Sequence, residues 1–214
     1  MKRIGILLPH LTPWTPLEFG NCLHQLLLNT PRYNKLGYEL GTISATCGVL
    51  TKLRNDLVKQ ALTSKCDYIY TLDVDVPFKQ DHLEKLLAHD KDIVIGTYRY
   101  RAAPYTVEGR QMDMNDRGPL RKMNYGPLGH ALIKADVFRK LPPPWFTWAY
   151  KQDGTDVGED WLFFNKARQA GYDVWCDFEV SAELGHFGYE VFWTNEAPGA
   201  RIVENAKKSP GVVE

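Results

Sequence analysis

Residues 67–78 read DYIYTLDVDVPF, an apolar run that ends in two aspartates separated by one valine. The run is short and rich in β-favouring side chains, which indicates a buried strand. Residues i and i+2 of a strand project to the same face, so we expect Asp73 and Asp75 to point together. Two neighbouring carboxylates repel each other unless a cation or hydrogen-bond donors lie between them. The stretch therefore predicts a cation site at a strand end.

The position of the two aspartates favours a hard divalent ion. Ligands of open α/β sheets bind beyond the carboxyl ends of the strands. A carboxylate pair at such an end suits Mg²⁺ or Mn²⁺ shared with a substrate diphosphate. The structural alternative is that one aspartate caps a helix beginning near Lys79 while the other faces solvent. The residues alone leave both interpretations open.

Apolar runs alternate with stretches of helical periodicity on both sides of this strand. Three further runs predict strands: RIGILLP, YELGTISAT and DIVIGTY. Three stretches predict helices: PLEFGNCLHQLLLN, TKLRNDLVKQALTSK and KQDHLEKLLAH. Such alternation is typical of βαβ units, so we expect an α/β fold with a mainly parallel central sheet flanked by helices.

The second half of the chain is less regular. Residues 99–128 have no sustained period, which predicts loops and a short hairpin. GHALIKADVFRKL predicts a strand followed by a helical turn, and the prolines of PPPW at 142–145 exclude a helix there. GEDWLFFNKARQAGYDVWCD predicts a helix, ended by Gly171, and then a strand.

Composition sets the class of protein. The 214 residues suffice for one full-sized core, and 26 basic residues balance 26 acidic ones, so no global field attracts nucleic acid or an anionic membrane. The four cysteines form no CxxC pair, which favours a reducing compartment. No run approaches the roughly 20 apolar residues of a membrane span. We therefore expect a soluble, cytoplasmic protein.

Two further motifs carry candidate chemistry. Glu159 and Asp160, in GEDW, fall in the first turn of a predicted helix, where the helix dipole favours acids for structural reasons alone. The functional interpretation is that one of them faces a cleft as a general base. His186, in ELGHFG, has glycines close on both sides, which lets the backbone approach a ligand. A lone histidine is nevertheless more often structural than functional.

In this order, DYIYTLDVDVPF, DIVIGTYRYR, GPLGHALIKADVF, LPPPWF, GEDWLFF and ELGHFG resemble the GT-A class of nucleotide-sugar-dependent glycosyltransferases. The likeness is greatest to the small family-2-like enzymes of bacteria and their phages. It implies a single Rossmann-like GT-A domain over residues 1–188, with a small antiparallel C-terminal portion. It leaves a tail, 189–214, that could pack near the active site.

The resemblance implies a set of metal ligands. In the family, the last aspartate of the DxD motif binds the metal, and the first contacts the nucleotide ribose or the water shell of the metal. These roles fall on Asp75 and Asp73. A histidine beyond the acidic helix often completes the site, which points to His186. An imidazole ligand shifts the preference from Mg²⁺ toward Mn²⁺.

The resemblance also implies donor-binding residues and a base. Pro9 and His10 follow the first strand, where such enzymes hold the nucleotide base, and Arg54 corresponds to an arginine that meets the diphosphate. Gly129 is a further expected donor contact. Inverting members keep their base at the position of Asp160, with Glu159 as the second candidate.

The resemblance implies an enzyme, a metal-dependent glycosyltransferase that moves a sugar from a nucleotide-diphosphate donor to a hydroxyl acceptor. One alternative is a sugar nucleotidyltransferase, which also uses a strand-end aspartate and Mg²⁺. That class normally has a glycine-rich loop with Lys or Arg after the first strand, and LLPHLTPWTP has none. The other alternative is a nucleotide-sugar-binding protein without turnover.

The acceptor is expected to be a glycan or a hydroxymethylated DNA base of a phage. Residues 96–125 hold six basic and three acidic side chains among several tyrosines, a pattern that could bind a polyanion. The same charges suit an ordinary solvated loop. We expect the acceptor to contact Trp161, Tyr125 and Arg99.

Overall fold

The computed structural model describes residues 1–101 and 107–188. They form an eight-stranded sheet, a two-stranded sheet and seven helices. No helix within these ranges has the length and apolar character needed to cross a membrane. The predicted tail, 189–214, and Tyr105 of the tyrosine-rich loop lie outside the described residues.

The strands and helices have the following bounds. The strands are β1 Lys2–His10, β2 Tyr38–Thr46, β3 Tyr68–Leu72, β4 Ile93–Ile95, β5 Arg110–Gln111, β6 Leu120–Tyr125, β7 His130–Lys134, β8 Ala149–Tyr150, β9 Asp156–Val157 and β10 Val174–Asp177. The helices are α1 Leu17–Leu28, α2 Thr30–Lys35, α3 Leu50–Thr63, α4 His82–Ala88, α5 Ala135–Lys140, α6 Glu159–Gln169 and α7 Phe178–Ser181.

The large sheet has the strand order β2-β1-β3-β7-β4-β10-β6-β5. β1 pairs in parallel with β2 and β3, and β10 pairs in parallel with β4. β7 and β6 run antiparallel to their neighbours, so six of these eight strands share one direction. The short hairpin β8–β9 forms the small antiparallel sheet. The predicted α/β class with a mainly parallel sheet is confirmed.

Helices cover both faces of the sheet. Alternate residues of each central strand belong to separate core clusters, as the two-residue period of a strand requires: Ile69 of β3 lies in one cluster and Tyr70 in the other. The first cluster takes in the apolar sides of α3, α5 and α6, and the second those of α1, α2 and α4. This layering leaves the carboxyl edge of the sheet open for a site.

Several predicted boundaries are confirmed, but two predicted strands end early; the strand predicted for DIVIGTY is β4, which ends at Ile95. YELGTISAT is β2, and Gly171 follows α6 with φ +91°, the left-handed conformation expected after a helix C-terminus. The strand predicted through Asp75 ends instead at Leu72. The N–H of Val76 donates to the carbonyl of Asp73 at 3.0 Å, and this turn removes the two aspartates from the strand. The same-face argument for the pair therefore does not hold.

Candidate active site

A cleft of about 960 Å³ opens where the parallel strands end. Because β1, β3 and β4 run in one direction, the residues after each strand meet at this edge. The cleft is lined by nine of the residues predicted from sequence: Pro9, Arg54, Asp73, Asp75, Tyr125, Glu159, Asp160, Trp161 and His186. The fold thus brings together residues that are up to 177 positions apart in the chain.

Asp73 belongs to a buried ion-pair cluster. Arg54 projects inward from α3, and its Nη2 lies 3.0 Å from Asp73 Oδ2 while its Nε lies 3.4 Å from Glu159 Oε1. The Arg54 side chain is only 5% exposed. Burial raises the pKa of Asp73, although the Arg54 guanidinium opposes the rise. Arg54, predicted to meet a diphosphate, therefore connects α3 to α6 and to the turn of residues 73–76, called the DVD turn below.

Gly129 permits this cluster to pack. A Cβ atom at position 129 would lie 2.3 Å from the Tyr98 hydroxyl and 2.7 Å from Asp73 Oδ2. The backbone N–H of Asp73 donates to the carbonyl of Gly129 at 2.9 Å. Only glycine fits between the two side chains, so the contacts of Gly129 support Asp73.

Asp75 and His186 face each other across the cleft floor. His186 Nδ1 lies 2.9 Å from the carbonyl oxygen of Arg99, which can only accept, so Nδ1 carries the proton. The Nε2 atom lies 3.7 Å from Asp75 Oδ2, and Arg101 Nη1 approaches the same oxygen at 3.1 Å. Burial opposes ionisation of Asp75, but a proton on His186 Nε2 and the Arg101 guanidinium outweigh it and hold the pKa of Asp75 below the usual value.

This pair has the chemistry of a divalent-cation site. An imidazole lone pair and a carboxylate oxygen are both acceptors, and they attract only through a proton or a cation between them. Two ligands bound at about 2.0–2.2 Å to one ion lie about 3–4 Å apart, which the 3.7 Å separation matches. A ligating histidine commonly donates its other N–H to a backbone carbonyl, as His186 does to Arg99. The residues therefore fit such an ion.

The two acids that begin α6 differ in their surroundings. Glu159 is buried and bound to Arg54, whereas Asp160 is partly exposed to the cleft and accepts from the backbone N–H of Leu128 at 3.1 Å. Asp160 Oδ1 has no hydrogen-bond partner within the described ranges. Burial raises the pKa of Asp160 well above its usual value; Arg54 opposes this and the neighbouring carboxylates add to it. Asp160 is thus the candidate with a raised pKa, and the residue lines the cleft with part of its surface exposed, although its Oδ1 atom is buried.

Glu108 is a cleft carboxylate that sequence reasoning missed. An isolated bridge between Arg99 and Val107 and the bond from the Glu108 N–H to the Tyr98 carbonyl hold Glu108 beside the cleft that it lines. Burial raises the pKa of Glu108 to about 7, although His186 opposes the rise. No pattern marks this glutamate in the sequence, because the pairing of residues 107 and 108 with residues 99 and 98 determines its position.

The sequence likewise marks Arg101, which contacts Asp75, only as one of six basic residues in 96–125.

The basic residues of 96–125 lie in different surroundings. Arg121 is buried and lies 4.0 Å over the ring of Phe178, and Lys122 pairs with Asp173 at 2.7 Å. These two side chains are engaged within the protein.

Some of the tryptophan and phenylalanine side chains lie at the rim of the cleft, and others lie in the hydrophobic core. Trp161 is 42% exposed at the cleft, and Trp148 and Trp14 join it at the rim. Trp145 and Phe146 are buried in the core. Exposed aromatic faces beside a cleft can stack on apolar faces of a ligand.

Three predicted site residues do not line the cleft within the part of the chain that the structure describes. Arg99 contributes its backbone carbonyl to His186, and Gly129 packs behind Asp73. His10 follows Pro9 at the end of β1, where its Nδ1 lies 3.3 Å from Thr15 Oγ1, and burial lowers its pKa.

Fold and site together define an α/β protein with a mainly parallel central sheet and an acidic cleft at the carboxyl edge of that sheet. Neither a protein-family model nor a curated protein sequence matches the chain. Among solved structures, it is similar to A197 from STIV, with a TM-score of 0.56 and 18% identity over 91% of each chain. A second match is S. aureus TarS 1-349, with a TM-score of 0.47 and 17% identity over 84% of this chain and 63% of that one. The likeness to A197 extends to the fold alone.

Proposed function

We propose that this protein is a metal-dependent glycosyltransferase that moves a sugar from a nucleotide-diphosphate donor to a hydroxyl acceptor. One observation carries the proposal. Asp75 Oδ2 and His186 Nε2 face each other at 3.7 Å in the same cleft as Asp160, whose pKa is raised. A cation site and a proton acceptor in one cleft can together assist the transfer of a sugar from a diphosphate to a hydroxyl group.

Asp75 and His186 would hold the ion, and Mn²⁺ is favoured over Mg²⁺ because one ligand is an imidazole. When bound, a divalent cation offsets the negative charge that develops on the departing nucleotide diphosphate. Asp160 takes the proton from the acceptor hydroxyl as that oxygen attacks the anomeric carbon. Arg54 pairs with Asp73 and Glu159 behind the reacting groups, which keeps the first turn of α6 in place.

The rim supports a carbohydrate acceptor. Trp161, Trp148 and Tyr125 offer aromatic faces that can stack on sugar rings beside Asp160. A polyanionic acceptor such as modified DNA needs a continuous basic surface, and Arg121 and Lys122 are engaged elsewhere. A glycan is therefore the acceptor class that we propose. Pro9, at the end of β1, lines the part of the cleft that we assign to the nucleotide.

The test is a panel of UDP-, GDP- and other nucleotide sugars, assayed with Mn²⁺ for hydrolysis and for transfer to glycans. We expect turnover of at least one donor, loss of that turnover with EDTA, and loss of both reactions in Asp75→Ala. The matched control is Asp56→Asn, which changes an exposed aspartate paired with Lys52 on α3.

Other outcomes identify the alternatives. Release of pyrophosphate from a sugar phosphate and a nucleoside triphosphate would indicate a nucleotidyltransferase. Donor binding without turnover would indicate a binding protein.

Asp160→Asn distinguishes the role of the base from that of the metal site. We expect kcat to fall by about 10²–10⁴-fold while Mn²⁺ affinity is retained. Unchanged kcat in this variant would contradict the role of Asp160.

A further inference from the structure

A second group of charged residues lies beside the cleft, on the segment that carries His186. Glu183 follows α7, and three side chains from the α4 region converge on its carboxylate. Lys79 Nζ lies 2.6 Å from Oε1, while Lys85 Nζ and His82 Nε2 lie 3.0 and 3.2 Å from Oε2. One carboxylate thus joins the chain after α7 to the chain after the DVD turn.

The protonation state of His82 makes it a donor in this group. The backbone N–H of Lys79 donates to His82 Nδ1 at 3.4 Å, so the proton of the neutral ring is on Nε2 and points to Glu183. Burial lowers the pKa of His82 to about 4, which leaves the ring neutral near pH 7. Burial disfavours ionised Glu183, but Lys79, Lys85 and His82 outweigh it and lower its pKa to about 2.

The group is not itself a cation site. Asp81, His82 and Glu183 have potential ligand atoms within 4.8 Å of one another. Glu183 is already paired with Lys79 and Lys85, and Lys85 also lies 2.9 Å from Asp81. Two ammonium groups therefore balance the two carboxylates. A structural role, holding two segments together, suits these contacts better.

Backbone hydrogen bonds extend this connection to the cleft. The N–H of Gly185 donates to the carbonyl of Pro77 at 3.2 Å, and the N–H of Phe187 donates to the carbonyl of Asp75 at 2.8 Å. His186 lies between these two donors in sequence. Its main chain is therefore fixed against the turn that presents Asp75, and Glu183 anchors the start of the same segment.

We propose that Glu183 is a positioning residue, whose ion pairs with Lys79 and Lys85 fix residues 183–187 so that His186 Nε2 faces Asp75. The inference rests on the proposed role of Asp75 and His186 as cation ligands. The middle of the segment is held from within, because Leu184 is buried in the core and the Gly185–Pro77 bond joins two buried residues. Glu183 is only partly buried, and its charge-assisted contacts hold the start of the segment from outside the cleft.

The test compares Glu183→Gln with Glu84→Gln. Glu84 lies on α4 and pairs with Arg32 at 2.8 Å, with an exposure close to that of Glu183, so its variant removes a similar ion pair that does not involve the 183–187 segment. Mn²⁺ affinity is measured by electron paramagnetic resonance titration. We expect Glu183→Gln to weaken Mn²⁺ binding by about 10-fold or more, as loss of a residue that orients a ligand does, and Glu84→Gln to leave it unchanged.

A second measurement needs no metal. Long-range ¹H–¹⁵N correlation spectra of the histidine side chains report the tautomer of His186. We expect the Nδ1–H form in the unsubstituted protein, because Nδ1 donates to Arg99 O, and a mixture of tautomers in Glu183→Gln. A general loss of stability would not by itself change the tautomer of the folded molecules. Lys79→Met removes only one ion pair and should give a smaller change of the same kind.

The outcomes distinguish this inference from the proposed function. If Glu183→Gln keeps both Mn²⁺ affinity within about twofold and the Nδ1–H tautomer, the positioning role is overturned, even if the variant is less stable. If Asp75→Asn also leaves Mn²⁺ affinity unchanged, the cation site itself is wrong. Weaker binding in Asp75→Asn with normal binding in Glu183→Gln rejects only the role of Glu183.

Discussion

The two aspartates of the DVD turn form ion pairs of nearly equal length in very different surroundings. Arg54 lies 3.0 Å from Asp73, with side chains 5% and 22% exposed, and Arg101 lies 3.1 Å from Asp75, with side chains 50% and 32% exposed. The first pair is enclosed by α3, α6 and Gly129, and the second lies at the open side of the cleft beside His186. One motif therefore contains a carboxylate paired with a buried arginine and a carboxylate paired with an exposed one.

The largest expected effect comes from breaking the buried pair. Arg54→Met leaves Asp73 and Glu159 without their cation, and removing one partner of a buried ion pair typically costs about 3–5 kcal/mol. We expect the free energy of unfolding, measured by denaturant titration, to fall by that amount. Arg101→Gln is the matched control, and its exposed pair should contribute at most about 1 kcal/mol. Equal losses in both variants would remove the distinction between the two pairs.

Gly129→Ala tests the packing behind Asp73. The added methyl group would lie 2.3 Å from the Tyr98 hydroxyl and 2.7 Å from the Asp73 carboxylate, so one of them has to move. Overpacking of this kind costs about 1–3 kcal/mol. Gly20→Ala on α1 is the control, since a Cβ there meets nothing within 4 Å and alanine is the better helix former. A thermal midpoint unchanged in Gly129→Ala would show that the cluster is loosely packed.

Asp75→Asn tests the second aspartate of the motif, which forms the exposed pair with Arg101. We expect Mn²⁺ affinity, measured by calorimetric titration, to weaken at least about tenfold, or about 1.4 kcal/mol. Stability should change little, because the pair with Arg101 is exposed. The opposite pattern, a large loss of stability with normal Mn²⁺ binding, would make Asp75 the structural residue of the two.

Acid should weaken the stabilising ion pairs of Glu183, and this is the smallest effect that we expect. Its pKa is lowered from 4.5 to about 2 in the folded state, so its stabilising contribution is present above about pH 4.5 and is lost as pH falls toward 2. Lys79, Lys85 and His82 are the groups that face it. The difference in thermal midpoint between the unsubstituted protein and Glu183→Gln should therefore shrink between about pH 6 and pH 3. A difference that is constant across this range would contradict the ionic role of Glu183.

The sequence predicts the layered architecture well, because that architecture follows from local periodicity. The helix α3 is an example: the helical period of TKLRNDLVKQALTSK predicts one inward face of Leu53, Leu57, Val58, Ala61 and Leu62, of which the first four are buried and Leu62 is half-buried. Strand ends are harder to predict. Asp73 and Asp75 continue the alternation of β3, and only the bond from Val76 to Asp73 shows that the chain turns there.

The site is partly predictable for the same reason. Most of the residues that line the cleft follow strands or begin a helix, and sequence patterns mark those positions. The partners of Asp73 and Asp75 are different, because they come from elsewhere in the chain. Arg54 reaches Asp73 from the inward face of α3, and Arg101 and Glu108 reach the cleft through an irregular segment. Such contacts depend on three-dimensional closure and leave no local signature.

The central claim is that Asp75 and His186 bind one divalent cation beside a nucleotide sugar. Anomalous diffraction at the manganese absorption edge, from crystals grown with Mn²⁺ and a donor that the protein binds, tests it most directly. The account predicts a single strong peak within bonding distance of both Asp75 Oδ2 and His186 Nε2. A peak at Asp81 and Glu183 instead, or none beside the bound donor, would contradict it.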